Sequence, residues 1–177
     1  KATPQVSLAE VIRRYIELIK TTDDAEFRVQ ALHRLANLEV LLADQDVEEL
    51  RDERLWQMAI DSYTEVLKAR PRREGYDQLL YQLAHAYEMK GDLESSLKQL
   101  QQLVEQAPRS SYVPEAQFRI AELQYSFGRY AEAEKSYERV LQQGEDGFAS
   151  KAQYMLGWAL FKQHRYDSAL TQYIRML

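Results

Sequence analysis

The chain has 177 residues, 45% of them hydrophobic and 29% charged, and a mean hydropathy of -0.56. That is enough apolar material for one compact domain or one short solenoid under a polar surface. A net charge of -5 without a basic run argues against nucleic acid and anionic membrane surfaces, which need gathered Lys and Arg. The absence of cysteine excludes disulfides, thiol catalysis and cysteine-based zinc sites; no stretch approaches the ~20 apolar residues of a membrane span, so no membrane insertion is expected of this segment.

Few Gly and Pro favour long helices over short strands. Hydrophobic periodicity predicts about nine helices, at 7–20, 25–43, 52–69, 74–90, 93–107, 112–127, 130–143, 148–163 and 166–177. The first carries Val11, Tyr15, Leu18 and Ile19, a spacing that recurs in the third as Ala59, Tyr63, Val66 and Leu67. The second carries Leu35-Ala36 and leads into the acidic insertion 44–54, whose six acids and two bases hold most of the net charge. That insertion reads either as a solvated helix extension or as a docking loop for a basic partner.

From the third helix onward the chain repeats itself. Trp56, Ala59, Tyr63 and Val66 return as Leu93, Ser96, Leu100 and Leu103, then as Tyr130, Ala133, Tyr137 and Val140, and last as Tyr166, Ala169, Tyr173 and Met176. The small residues stand 37, 37 and 36 positions apart. Spacings of three and four put each set on one helix face, and a recurring small residue marks close approach of a neighbouring backbone. The intervening helices carry their own large–small pairs, Leu83-Ala84, Ile120-Ala121 and Leu156-Gly157. Gly91-Asp92 and Gly128-Arg129 separate the two helices of a pair, as a helix C-cap would; Pro71 and Pro108 follow the second helix.

These residues resemble the tetratricopeptide repeat. Leu156-Gly157-x-Ala159 followed by Tyr166, Ala169 and Tyr173 is similar to its consensus over almost a full unit, and Ala84-x-Ala86-Tyr87 with Gly91-Asp92 and Pro108 is similar to a second copy. The resemblance covers about residues 27–177. It implies an all-α fold, a right-handed α-solenoid of antiparallel helix pairs. The units are a half repeat at 7–20, then repeats at 25–71 (with the insertion), 74–108, 112–146 and 148–177. The period exceeds the usual ~34 residues. The lengthened linker Pro108–Ala116 is similar to those of bacterial envelope repeat proteins, such as the lipoprotein partner in outer-membrane barrel assembly and the Tol–Pal coordinator. That likeness implies the periplasmic side of the bacterial cell envelope, with the cytoplasm as the alternative.

In this family the first helix of each pair lines a groove. Carried over, that implies a partner-binding groove of Tyr81, Phe118 and Tyr154 in one row, His85, Glu122 and Trp158 in the next, and Glu88, Tyr125 and Phe161 in a third. Tyr154, Trp158 and Phe161 lie at i, i+4 and i+7, hence on one face. The family's clamp for chaperone carboxylates needs Lys, Arg and paired Asn. The single Asn is Asn37, and His33 stands one turn before it where Lys is wanted.

No catalytic or cofactor signature appears. His33, His85 and His164 lack metal-ligand spacing, and there is no phosphate loop or nucleophile elbow. The expected function is a non-catalytic protein–protein interaction scaffold, without metal or cofactor. It is expected to be a segment of a longer array cut at both ends and to bind a peptide or helix of a partner. The alternative is a structural module that self-associates through its truncated helical ends.

Overall fold

The computed structural model describes residues 7–41, 51–69, 74–144 and 147–176. Among them are nine helices and no strand: α1 (Leu8–Thr21), α2 (Ala25–Leu41), α3 (Glu53–Ala69), α4 (Tyr76–Met89), α5 (Leu93–Gln106), α6 (Val113–Ser126), α7 (Tyr130–Gln142), α8 (Ala149–Lys162) and α9 (Tyr166–Ile174). Each falls within three residues of its expected bounds. The last stops earliest, because the Met176 N–H turns back to the Tyr173 carbonyl at 3.1 Å. The insertion's acids at 44–49 lie outside the described residues.

Helix starts follow capping chemistry. Ser7 Oγ accepts from the Glu10 N–H at 3.2 Å, and Asp24 Oδ1 accepts from the Glu26 N–H at 2.9 Å and the Phe27 N–H at 3.2 Å. Asp52 Oδ1 accepts from the Arg54 N–H at 2.9 Å. Such side chains satisfy amides that a helix start leaves unpaired.

Helix ends repeat one device. The Asp92 N–H reaches back to Tyr87 O and the Gly91 N–H to Glu88 O; Arg129 and Gly128 do the same to Gln124 and Tyr125. Arg165 and His164 do it to Leu160 and Phe161. This is the paired-bond cap that places one residue in the left-handed region. Gly91 and Gly128 take φ of +81° and +73°, as the sequence predicts; at the third turn His164 takes +62°.

The chain divides into two compact units, 1–92 and 93–177. In the first, Ile12, Ile16 and Ile19 of α1 pack with Leu35, Leu55, Trp56 and Tyr63. In the second, α5 to α9 each pack on the next helix in order, around Ala121, Ala133, Tyr137, Val140, Ala152 and Leu156. The recurring small residues are all buried: Ala59, Ser96, Ala133 and Ala169. A larger side chain at any of them would hold two helices apart.

Candidate functional site

The second unit places α8 so that one flank faces the core and the other does not. Ala152, Leu156, Ala159 and Leu160 are buried. Tyr154 and Phe161, on the opposite flank, keep 47% and 45% of their surface exposed. The two periodicities inside one helix create this division, since positions three and four apart share a face.

The exposed flank is a continuous run of rings. Tyr154 meets Trp158 edge-on at 6.3 Å between centroids, and Trp158 meets Phe161 at 5.7 Å. Phe161 meets Tyr166 of α9 at 5.1 Å, and Tyr154 also meets Tyr173 of α9 at 5.9 Å. Edge-to-face contact is the favoured arrangement of aromatic quadrupoles, so the rings hold one another in place while staying open to solvent. Tyr125 of α6 makes a separate edge-on pair with Tyr130 at 5.2 Å. Burial pushes the Tyr125 and Tyr173 phenols up from 10.0, helped in both by the nearby Tyr154 phenol. The Tyr125 and Tyr173 hydroxyls therefore stay neutral donors and acceptors at physiological pH.

Of the expected groove residues, Tyr154, Trp158 and Phe161 thus form one ring run in the second unit, while Tyr125 pairs with Tyr130 and Glu122 is exposed on α6. Phe118 is a correction. It is only 6% exposed, stacked on Phe148 at 5.3 Å and tilted against Tyr137 at 6.1 Å. Phe148, at the start of α8, covers it, so Phe118 is core rather than groove wall. Tyr81, His85 and Glu88 lie half-buried on α4 in the first unit, where His85 stands edge-on to Trp56 at 5.7 Å. His33 stacks on Tyr63 at 5.8 Å.

Sequence reasoning missed Tyr166 and Tyr173 as members of the ring system. The repeat pattern places both on its packing face, where Trp56 is 5% exposed; Tyr166 at the same position is 53% exposed. The available signal was that Tyr166 follows a turn built on His164, whose Nδ1 lies 2.9 Å from the Tyr166 hydroxyl.

Among the described residues no group of three or more His, Asp or Glu is placed to hold a metal ion, and no helix is long and apolar enough to cross a membrane.

The tetratricopeptide repeat family profile matches residues 81–148 and 118–177, together more than half the chain. Among solved structures, MamA is similar with a TM-score of 0.66 at 16% identity, over 96% of this chain and 86% of that one. A putative kinesin light chain from Podosopora anserina with nearly identical TPR-like repeats gives 0.65 at 18%, over 96% and 91%. YrrB, a TPR protein with an unusual peptide-binding site, gives 0.60 at 19%, over 93% and 74%. No curated protein sequence matches.

Proposed function

We infer the function of this chain from the family it belongs to, the tetratricopeptide repeat family: it is a non-catalytic scaffold that binds a peptide or helix of a partner protein. The observation that carries this reading is the solvent-open ring run Tyr154–Trp158–Phe161 on α8. Rings that pre-pack one another lose little freedom on binding, and covering one contributes roughly 1.5–3 kcal/mol before ordering costs. Aromatic anchors of this kind dominate many interfaces. Glu122 and the three phenols supply polar groups at the edge, which suits a partner segment with apolar side chains and a nearby cation or amide. YrrB, of the same fold, has a peptide-binding site.

The test selects peptides from a random display library on the 1–177 chain. Selected peptides shift Trp158 fluorescence and lose binding to Trp158→Ala and Phe161→Ala, while the helical circular dichroism of both variants stays that of the parent. Peptides that bind the two variants as tightly as the parent would refute the groove, as would unfolding of the Trp158→Ala protein. The linker Pro108–Ala116 carries the further proposal of a periplasmic location in a bacterial envelope. A reporter fused to the full-length gene product and active only in the cytoplasm would contradict it.

A further inference from the structure

The groove flank of α6 does not lie at an end of the chain. α5 and α7 pack against this helix, and Phe148 at the start of α8 is stacked on its Phe118. Whatever stays open on that flank is therefore open with the following pair in place. Glu122 is exposed there, and Tyr125 is half-buried and edge-on to Tyr130. Glu122 holds on α6 the repeat position that Trp158 holds on α8, and Tyr125 holds that of Phe161. A segment laid along the groove over Trp158 thus also passes over Glu122.

That carboxylate decides what the segment can be. An apolar stretch would strip water from Glu122 and return nothing, and a desolvated charge left unpaired is heavily penalised. An acidic stretch would meet a like charge. The surroundings point the same way. Tyr137 of α7 is fully buried, and its hydroxyl makes no hydrogen bond among the described residues. Burial, then the Glu122 charge, then the Tyr125 phenol hold it protonated. Burial, followed by the Tyr130 and Tyr154 phenols, does the same for Tyr125. Among the described residues the groups acting on these two phenols are an acid and other phenols, with no Lys or Arg. Arg119, one turn before Glu122 on α6, is paired with Glu115 at 3.3 Å. The flank therefore offers a carboxylate beside a ring face, in a field that favours a cation. Of the two cationic side chains, arginine fits better. Its planar guanidinium can lie on the Tyr125 ring and still donate in its own plane to the carboxylate, whereas an ammonium is a point charge.

We propose that the partner segment bound in the groove is anchored by an arginine, its guanidinium on Glu122 and against the Tyr125 ring while apolar neighbours cover Trp158. The proposal rests on the groove reading and adds the partner's chemistry to it. It is the opposite of a carboxylate clamp, since an acidic chain end would be turned away here.

The probe is a random peptide display library, selected in parallel on the parent 1–177 chain, on Trp158→Ala and on Glu122→Gln, with the sequences read from each. Peptides that need Trp158 carry arginine at one fixed register on the parent, and that preference disappears on Glu122→Gln while the apolar preference persists. A synthetic copy of the most enriched peptide loses about tenfold in affinity when its arginine is replaced by the neutral isostere citrulline, and about threefold when it is replaced by lysine. Glu122→Gln produces the same loss for the arginine peptide and no further loss for the citrulline one. Glu122 is exposed, so the Gln variant keeps the parent's thermal transition. Peptides that need Trp158 but show no arginine preference, or that bind Glu122→Gln as tightly as the parent, would overturn the arginine anchor and leave the groove standing. Absence of any Trp158-dependent peptide would remove the groove, and the anchor with it.

Discussion

The ring of Tyr173 lies against the backbone of Gly157, so close that a Cβ on Gly157 would stand 2.5 Å from Tyr173 Cε1 and 2.6 Å from Cζ. The contact joins the small residue of one repeat signature to the aromatic residue of the other. It explains why a glycine is kept in the middle of α8 despite its helix cost. Replacement by Ala gains about 1 kcal/mol of helix propensity, but it drives the Tyr173 ring out of a packed site, which costs roughly 1–3 kcal/mol. We expect Gly157→Ala to be destabilising by about 1 kcal/mol in urea titration. Adding Tyr173→Leu should make the same Ala neutral or favourable. Additive effects in the double variant would contradict the contact.

Tyr137 is fully buried and its hydroxyl has no hydrogen-bond partner among the described residues. A buried polar group left unmet costs about 1–3 kcal/mol. Tyr137→Phe removes that group and keeps the ring that packs on Phe118, so it should gain about 0.5–1.5 kcal/mol. Burial, and then the Glu122 charge, push the phenol well above its ordinary 10.0. The unfolded chain therefore ionises first as pH rises, and the stability held below pH 10 is lost above it. The Phe variant should show a shallower alkaline fall. An equal fall in both proteins would mean that Tyr137 is not the group responsible.

The helices and their order were legible because the sets Ala59–Val66, Ala133–Val140 and Ala169–Tyr173 recur at fixed spacing, and burial of the small residue is a local consequence of that spacing. The site was less legible. Phe118 and Tyr154 occupy one repeat position and have the same hydrophobic character, yet one is core and the other exposed. The difference lies in Phe148, thirty residues from Phe118, which covers one ring and not the other. Likewise, Ser136 and Gln124 share a buried hydrogen bond of 2.6 Å across α6 and α7. No periodicity marks that pairing, because each residue is polar by itself and the bond between them exists only once the two helices pack.

Lys20 at the end of α1 donates to Asp52 at the start of α3, 2.8 Å away. That hydrogen bond, with the Arg54 amide bonded to the same carboxylate, lowers the Asp52 pKa below its ordinary 3.8. A carboxylate whose pKa is depressed in the folded state contributes stability above its unfolded value and loses it as pH falls through the lower, folded one. Lys20→Met should raise the Asp52 titration, read from its carboxyl carbon shift, towards 3.8, and should flatten the acid limb of stability below about pH 4. The effect belongs to an exposed pair and weakens with salt. An unchanged Asp52 titration in the variant would remove the pair from any account of how α1 is held.

At position 164 the repeat period calls for the residue type found at 91 and 128, and the backbone agrees: all three take positive φ, but only His164 has a side chain. The left-handed conformation costs a side-chain-bearing residue roughly 1–2 kcal/mol, while glycine gives back about 0.5–1 kcal/mol through its freer unfolded chain. His164→Gly should therefore stabilise the α8–α9 pair by about 0.5 kcal/mol, even after losing the exposed contact between His164 Nδ1 and the Tyr166 hydroxyl. The reverse experiment isolates the conformational part. No atom lies within 4 Å of a Cβ built on Gly128, so Gly128→Ala has nothing to strike, and its expected loss of about 1 kcal/mol is backbone strain alone. If Gly128→Ala were neutral, the cap would tolerate side chains freely and His164→Gly should gain nothing; opposite signs for the two substitutions would show that position 164 keeps its histidine at a cost in stability. That cost leaves the imidazole beside Tyr166, at the end of the ring run that the proposed groove uses.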